Sequence, residues 1–134
     1  MICVPDLAQG IEAYARIGFN IAPGGVHTGR GTHNAIAFND EDYLELLGLR
    51  DRAEYLAASP AGGLLEFLAA GGGFRYVAIQ SDDLAADVTA MRERGIDVSG
   101  PAEGGRRTPA GQELRWKSAS WGRVTPCRSS SSST

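Results

Sequence analysis

Two short runs in the first third of the chain alternate apolar and polar positions with period two. In the first, Asn34, Ile36 and Phe38 fall on one side and His33, Ala35 and Ala37 on the other. In the second, Tyr43, Glu45 and Leu47 share a side, with Leu44 and Leu46 behind them. The cluster Asn39-Asp40-Glu41-Asp42 between the runs suits a hairpin turn. The pattern predicts a β-hairpin that places one carboxylate, Glu45, mid-strand among apolar neighbours, where simple exposure on a half-wet strand competes with a functional role. Upstream the period changes: Leu7, Ile11, Tyr14 and Ala15 recur at helical spacing after Asp6, a capping residue, and Gly18 stands where the helix should end. Apolar residues 2–4 predict a strand before this helix. Phe19 and Ile21 predict another after it, followed by a Pro23-Gly24-Gly25 turn and a glycine-rich loop holding His27 and Arg30. Residues 1–49 therefore read strand, helix, strand, strand, strand.

Residues 50–73 change character. Ser59-Pro60 reads as cap and first helical residue ahead of Leu64, Leu65, Phe67 and Leu68, and Gly71-Gly72-Gly73 closes the segment, so a helical connection is expected. Residues 74–80 predict a strand, after which the first block returns. A shift of 77 positions brings Asp6 onto Asp83, Leu7 onto Leu84, Ile11 onto Val88, Tyr14 onto Met91 and Gly18 onto Gly95. One offset that carries cap, helix face and terminating glycine predicts an internal duplication. The second copy is expected to run through a loop at 100–111 into a strand at 112–118 bearing Arg115 and Trp116. Residues 119–134 end in a serine run, which predicts a disordered tail in place of the copy's last strand.

Composition narrows the function classes. A chain of 134 residues with a net charge of -3 fits one domain, and no basic surface argues for a nucleic acid or an anionic membrane as partner. The first residues lack a basic segment followed by an apolar run, and no stretch reaches the roughly 20 apolar residues that span a bilayer, so the cytoplasm is the expected location. Cys3 and Cys127 stand alone without CxxC spacing, which indicates neither a zinc knuckle nor a disulfide framework. The glycines from Gly24 to Gly31 suggest a phosphate loop, but a strand rather than a helix follows them, so that reading is discarded.

Two tandem βαβββ units with a Val4-Pro5-Asp6-Leu7 start, a helix ending at Gly18-Phe19, a PGG loop, GTHNAIAF at 31–38 and YLELL at 43–47 resemble the glyoxalase-like proteins of the vicinal oxygen chelate superfamily. This superfamily also contains bleomycin-resistance proteins and extradiol dioxygenases. The resemblance covers residues 2–118. It implies an α+β fold in which the two units, 1–49 and 74–118, form a curved mixed sheet around a cup with helices outside, the second unit being incomplete. It further implies a divalent metal (zinc, nickel, manganese or iron) held from the first and fourth strands of each unit. It also implies lyase, isomerase or dioxygenase-type chemistry on a small oxygenated metabolite. Glu45 matches the fourth-strand ligand of the first unit and is the implied metal-binding and catalytic residue. The first-strand histidine would fall before Met1, its counterpart in the second unit falls on Tyr76, and the last ligand would lie on the strand that the serine tail replaces. The resemblance thus implies a chain truncated at both ends.

Two alternatives stand beside the metal-assisted enzyme. One is metal-free binding of a small molecule, as in the drug-sequestering members of the superfamily, by a cup lined with Asn34, Tyr43, Tyr76, Arg115 and Trp116. The other is an inactive fragment. A homodimer would complete the cup in the enzyme reading. His27, placed in a loop, and His33, on the strand face opposite Asn34, are expected to be surface or hydrogen-bonded histidines. Arg30 and Arg107 occupy equivalent loops, where solvated charge competes with anchoring of an anion.

Overall fold

The structure is a computed structural model and describes residues 1–122. It is α+β, with the order β1 (Ile2–Cys3), α1 (Leu7–Arg16), β2 (Ala22–His27), β3 (Thr32–Asn39), β4 (Asp42–Leu49), α2 (Arg52–Ala58), α3 (Gly63–Ala69), β5 (Gly73–Phe74), α4 (Leu84–Glu93), β6 (Val98–Arg107) and β7 (Glu113–Trp121). The strands form one mixed sheet ordered β5-β1-β4-β3-β2-β6-β7. The chain divides into two compact units. Unit 1 comprises Met1–Gln80 and Gly104–Trp116, and unit 2 comprises Ser81–Glu103 and the described residues from Lys117 onward.

Unit 1 contains the complete βαβββ order. Asp6 starts α1 by accepting a hydrogen bond from the Gln9 amide at 2.9 Å, and Gly18, at φ 103°, ends the turn that follows it. Strands β3 and β4 pair antiparallel around a tight turn in which Asp40 takes φ 50°, with Ile36 opposite Glu45, Ala37 opposite Leu44 and Phe38 opposite Tyr43. Directly opposed residues point the same way. One sheet face therefore carries Asn34, Ile36, Phe38, Tyr43, Glu45 and Leu47. The other carries His33, Ala35, Ala37, Leu44, Leu46 and Gly48. The second face meets α1, where Leu7, Ala35 and Leu46 form the buried core with Ile2, Val4, Ile11, Tyr14 and Ile21 packed around it. Strand β1 lies parallel to β4, with Ile2 beside Leu46. The hydrophobic stripe of α1 and the inner alternation of the hairpin thus meet, which leaves the opposite face of the sheet for a site.

Five local expectations are corrected. The Pro23-Gly24-Gly25 segment is not a turn but part of β2, which pairs with β3 across an irregularity between Pro23 and Gly25. Ser59 closes α2 instead of opening a helix: Asp51 caps α2 by accepting from the Glu54 amide, and α3 begins after Gly62. The strand expected over 74–80 ends at Phe74, beside β1. The expected loop at 100–111 is largely strand β6, and β7 continues past residue 118 to Trp121. Cys127 and most of the serine-rich tail lie outside the described residues.

Unit 2 contains α4 with the parts of β6 and β7 that belong to it. Asp83 caps α4 by accepting from the Ala86 amide at 3.0 Å, and Gly95 takes φ 80° after its end, as at Asp6 and Gly18. Val88 and Val98 are its buried residues. The Arg92 guanidinium fastens the helix to β6 by donating to the carbonyls of Val98 at 3.0 Å and Gly100 at 2.8 Å.

Candidate functional site

The sheet face turned away from α1 gathers the polar residues of unit 1. Strand β2 contributes His27, opposite Thr32, and Gly25, opposite Asn34. Four polar side chains are buried there: His27, Thr32, Asn34 and Glu45. Burial of this kind is costly unless each group finds a partner. Asn34 Nδ2 donates to Glu45 Oε1 at 2.8 Å, and His27 Nδ1 shares a hydrogen bond with Thr32 Oγ1 at 2.9 Å. His27 Nε2 lies 3.9 Å from the same Glu45 oxygen, and the ring meets the Trp116 indole edge-on at 6.3 Å between centroids. Burial first, then the positive charges of Arg106, His33 and Arg30, push the His27 imidazole down to about 4, so the ring is neutral at pH 7.

Beside this cluster lies an open cavity of about 360 Å³, bounded by β2, the end of β3 and the tip of the β6–β7 hairpin. Its walls include Ala22, Gly24, Ile36, Phe38, Arg106 and Thr108. Gly24 sits at the point of closest approach: a Cβ there would overlap both Asn34 Oδ1 and Arg106 Nη1. Gly104 plays the same part under Trp116, whose indole occupies the space that a side chain would need.

The predicted site residues divide. Asn34 and Glu45 are hydrogen-bonded to each other, and Trp116 joins them through the His27 ring. Tyr43 lies on the same face, half exposed, with its ring 6.1 Å from that of Phe38. Tyr76 follows β5, where its amide donates to the Met1 carbonyl and its hydroxyl accepts from Arg75 Nε at 3.0 Å. Arg115 precedes Trp116 in β7 and so projects from the opposite face of that strand. His33 is on the helix side of the sheet, next to Gly48, as its alternation predicts. Arg107 forms an exposed ion pair with Glu113 at 3.0 Å.

Arg106 is the member of this cluster that local reading does not single out, and His27, expected as a surface or hydrogen-bonded histidine, is the one that it misplaces. Pro23-Gly24-Gly25 reads as a turn, and that reading puts His27 in a loop. It lies on β2 instead, 8% exposed and hydrogen-bonded. Had the alternation been continued from Gly25, it would have placed His27 on the Glu45 side. Nothing in the local pattern marks Arg106, which lies in a glycine-rich stretch.

Whether these residues suit a divalent ion follows from the donor set. His27 Nε2 and Glu45 are two donors where a catalytic zinc site normally uses three from protein. Among the described residues no group of three or more His, Cys, Asp or Glu could hold a metal. The amide nitrogen of Asn34 already occupies Glu45 Oε1. The donors of unit 1 therefore do not make a catalytic metal site by themselves.

The sequence matches the glyoxalase-like domain family over residues 1–128. No characterised protein matches it by sequence. Among solved structures, a hypothetical protein from Staphylococcus aureus superposes with a TM-score of 0.75 at 19% identity, over 92% of this chain and 51% of that one. The methylmalonyl-CoA epimerase of Mycobacterium tuberculosis superposes with a TM-score of 0.60 at 21% identity, over 87% of this chain and 74% of the epimerase. At these identities the likeness is one of fold, and the chain spans about half the length of the staphylococcal protein. Among the described residues no helix is long and apolar enough to cross a membrane.

Proposed function

The chain belongs to the glyoxalase-like domain family, and from that premise we propose that unit 1 binds a small oxygenated metabolite on which Glu45 moves a proton. The observation that carries this reading is a buried carboxylate, held by Asn34, that faces a neutral imidazole. Asn34 fixes the orientation of the carboxylate through Oε1, which leaves Oε2 to take a proton from carbon next to a carbonyl. Neutral His27, oriented by Thr32 through Nδ1, presents Nε2 to the same carboxylate as a second station for the proton. The fold of an epimerase at TM-score 0.60 is compatible with such a transfer, since epimerisation requires a carbon-bound proton to leave and return.

A metal-assisted form of this chemistry would start at the His27–Glu45 pair, with zinc, nickel, manganese or iron, and needs a donor beyond these two. A homodimer is one source of it. The second reading, metal-free sequestration of a small molecule, is favoured by the exposed apolar surface of Phe38 and Tyr43 on the same face.

The test is exchange of carbon-bound protons in deuterium oxide, followed by proton NMR with pyruvate and 4-methyl-2-oxopentanoate, with and without each metal ion. The expected result is exchange by the unmodified protein that falls at least about a hundredfold in Glu45→Gln, the lower range for loss of a general base. Binding of these compounds with no exchange under any condition would favour sequestration and remove the proton-transfer role from Glu45.

A further inference from the structure

The cavity between Gly24, Ile36 and Phe38 has one charged wall. Arg106 is half-buried there, and among the described residues it makes no ion pair or hydrogen bond, whereas Arg107, Lys117 and Arg50 each face a carboxylate. Next to it Asn34 Oδ1 is buried and, among the described residues, accepts no hydrogen bond, although the nitrogen of the same amide is committed to Glu45. A guanidinium without a counter-ion and an amide oxygen without a donor thus flank the same gap over Gly24. Of the two, only the guanidinium can be met by an anion, because a carboxylate accepts hydrogen bonds and donates none, so it cannot serve the buried amide oxygen. The remaining walls are mostly apolar: Ala22, Ile36, Phe38 and Pro109, with Phe38 70% exposed.

We infer that this cavity is a carboxylate-recognition site, in which Arg106 pairs with the carboxylate of a small, otherwise apolar molecule whose body lies on Ile36 and Phe38. The inference rests on the reading of Glu45 above and gives its substrate class, a carboxylic acid. The planar fork of arginine binds a carboxylate through two parallel hydrogen bonds. A volume of about 360 Å³ lies at the small end of ligand pockets and is enough for a short acid. Only a glycine fits at position 24, because a Cβ there would overlap both Asn34 Oδ1 and Arg106 Nη1. Pairing of Arg106 with an anion would also reduce the positive field that it exerts on His27.

The experiment is calorimetric titration of the full chain with 4-methyl-2-oxopentanoate and with the corresponding uncharged amide, 4-methyl-2-oxopentanamide. The acid should bind at least about tenfold more tightly than the amide, the difference that one charge-assisted hydrogen bond supports. Arg106→Gln should lower the affinity for the acid to that for the amide, and Arg106→Lys should restore part of it. Circular dichroism and the melting transition establish that each variant is folded. Equal affinity for acid and amide, an unchanged affinity in folded Arg106→Gln, or no binding of the acid by the unmodified protein would each overturn the inference. Glu45→Gln separates this site from the proton transfer. If acid binding needs Arg106 and survives in Glu45→Gln while the unmodified protein shows no exchange, the carboxylate site stands and the role of Glu45 falls.

Discussion

Units 1 and 2 start from matching local signals and end with different interiors. Both helices begin at an aspartate that accepts a hydrogen bond from the amide three residues on, and both end before a glycine of positive φ. The helix of unit 1 meets a sheet face made by two long paired strands, so Leu7, Ala35 and Leu46 are enclosed and the far face can bury a polar cluster. Unit 2 encloses Val88 and Val98, and its helix is tied to β6 by the Arg92 guanidinium on backbone carbonyls. The difference shows that caps and helical spacing create an element without deciding how much it buries. Burial depends on the strands that the element finds, and a polar site needs a well-enclosed sheet to hold it.

The largest test of this contrast is to remove apolar volume from each interior. Leu46→Ala should lower unfolding stability by about 2–5 kcal/mol, the range for a leucine deleted from a closed core. Val88→Ala should cost less, about 1–3 kcal/mol. Urea titrations of both variants check it, and an equal or larger loss in Val88→Ala would break the contrast.

The polar face should show itself in acid. The folded protein holds His27 at about 4, whereas an unfolded chain leaves it near 6.5. Between these values the unfolded chain binds the extra proton. Stability from this group is therefore complete above about 6.5 and is lost as pH falls toward about 4, by on the order of 3 kcal/mol in all. The His33 imidazole is lowered as well, chiefly by burial, and adds loss of the same sign. Stability measured against pH should fall less steeply over this window in His27→Gln, and an unchanged slope would mean that the imidazole does not titrate as described.

The smallest effect sharpens the contrast by testing what the units share. Asp6→Ala and Asp83→Ala each remove one cap and should each cost about 1 kcal/mol. Thermal melts of the two variants that differed severalfold would show that the local signals themselves are unequal.

Much of the fold was legible because it depends on neighbours in sequence. The alternation groups Asn34 with Ile36 and Phe38 in one strand and Glu45 with Tyr43 and Leu47 in the other, and the observed register joins the two groups on one face. The candidate site was half legible. Asn34, Glu45 and Trp116 come together, whereas Tyr76 is tied to Arg75 and Arg115 projects from the opposite face of its strand.

The two capped helices, the β3–β4 hairpin with a carboxylate in mid-strand, and the family could all be read from the amino-acid order, whereas the burial of Glu45 came from the fold. Each of these is written in residues at most a few positions apart, through side-chain caps, helical spacing and the two-residue repeat of a strand. That Pro23-Gly24-Gly25 and the glycine-rich 98–107 are strands, and hence where His27 and Arg106 stand, follows from packing between distant parts of the chain. Those glycines read locally as turns and loops. Their reason lies in distant parts of the chain: Gly24 leaves room for Asn34 and Arg106, Gly25 for the Arg107 carbonyl and Gly104 for the Trp116 indole. A residue kept small by what packs against it has no signature of its own, and such residues line this site.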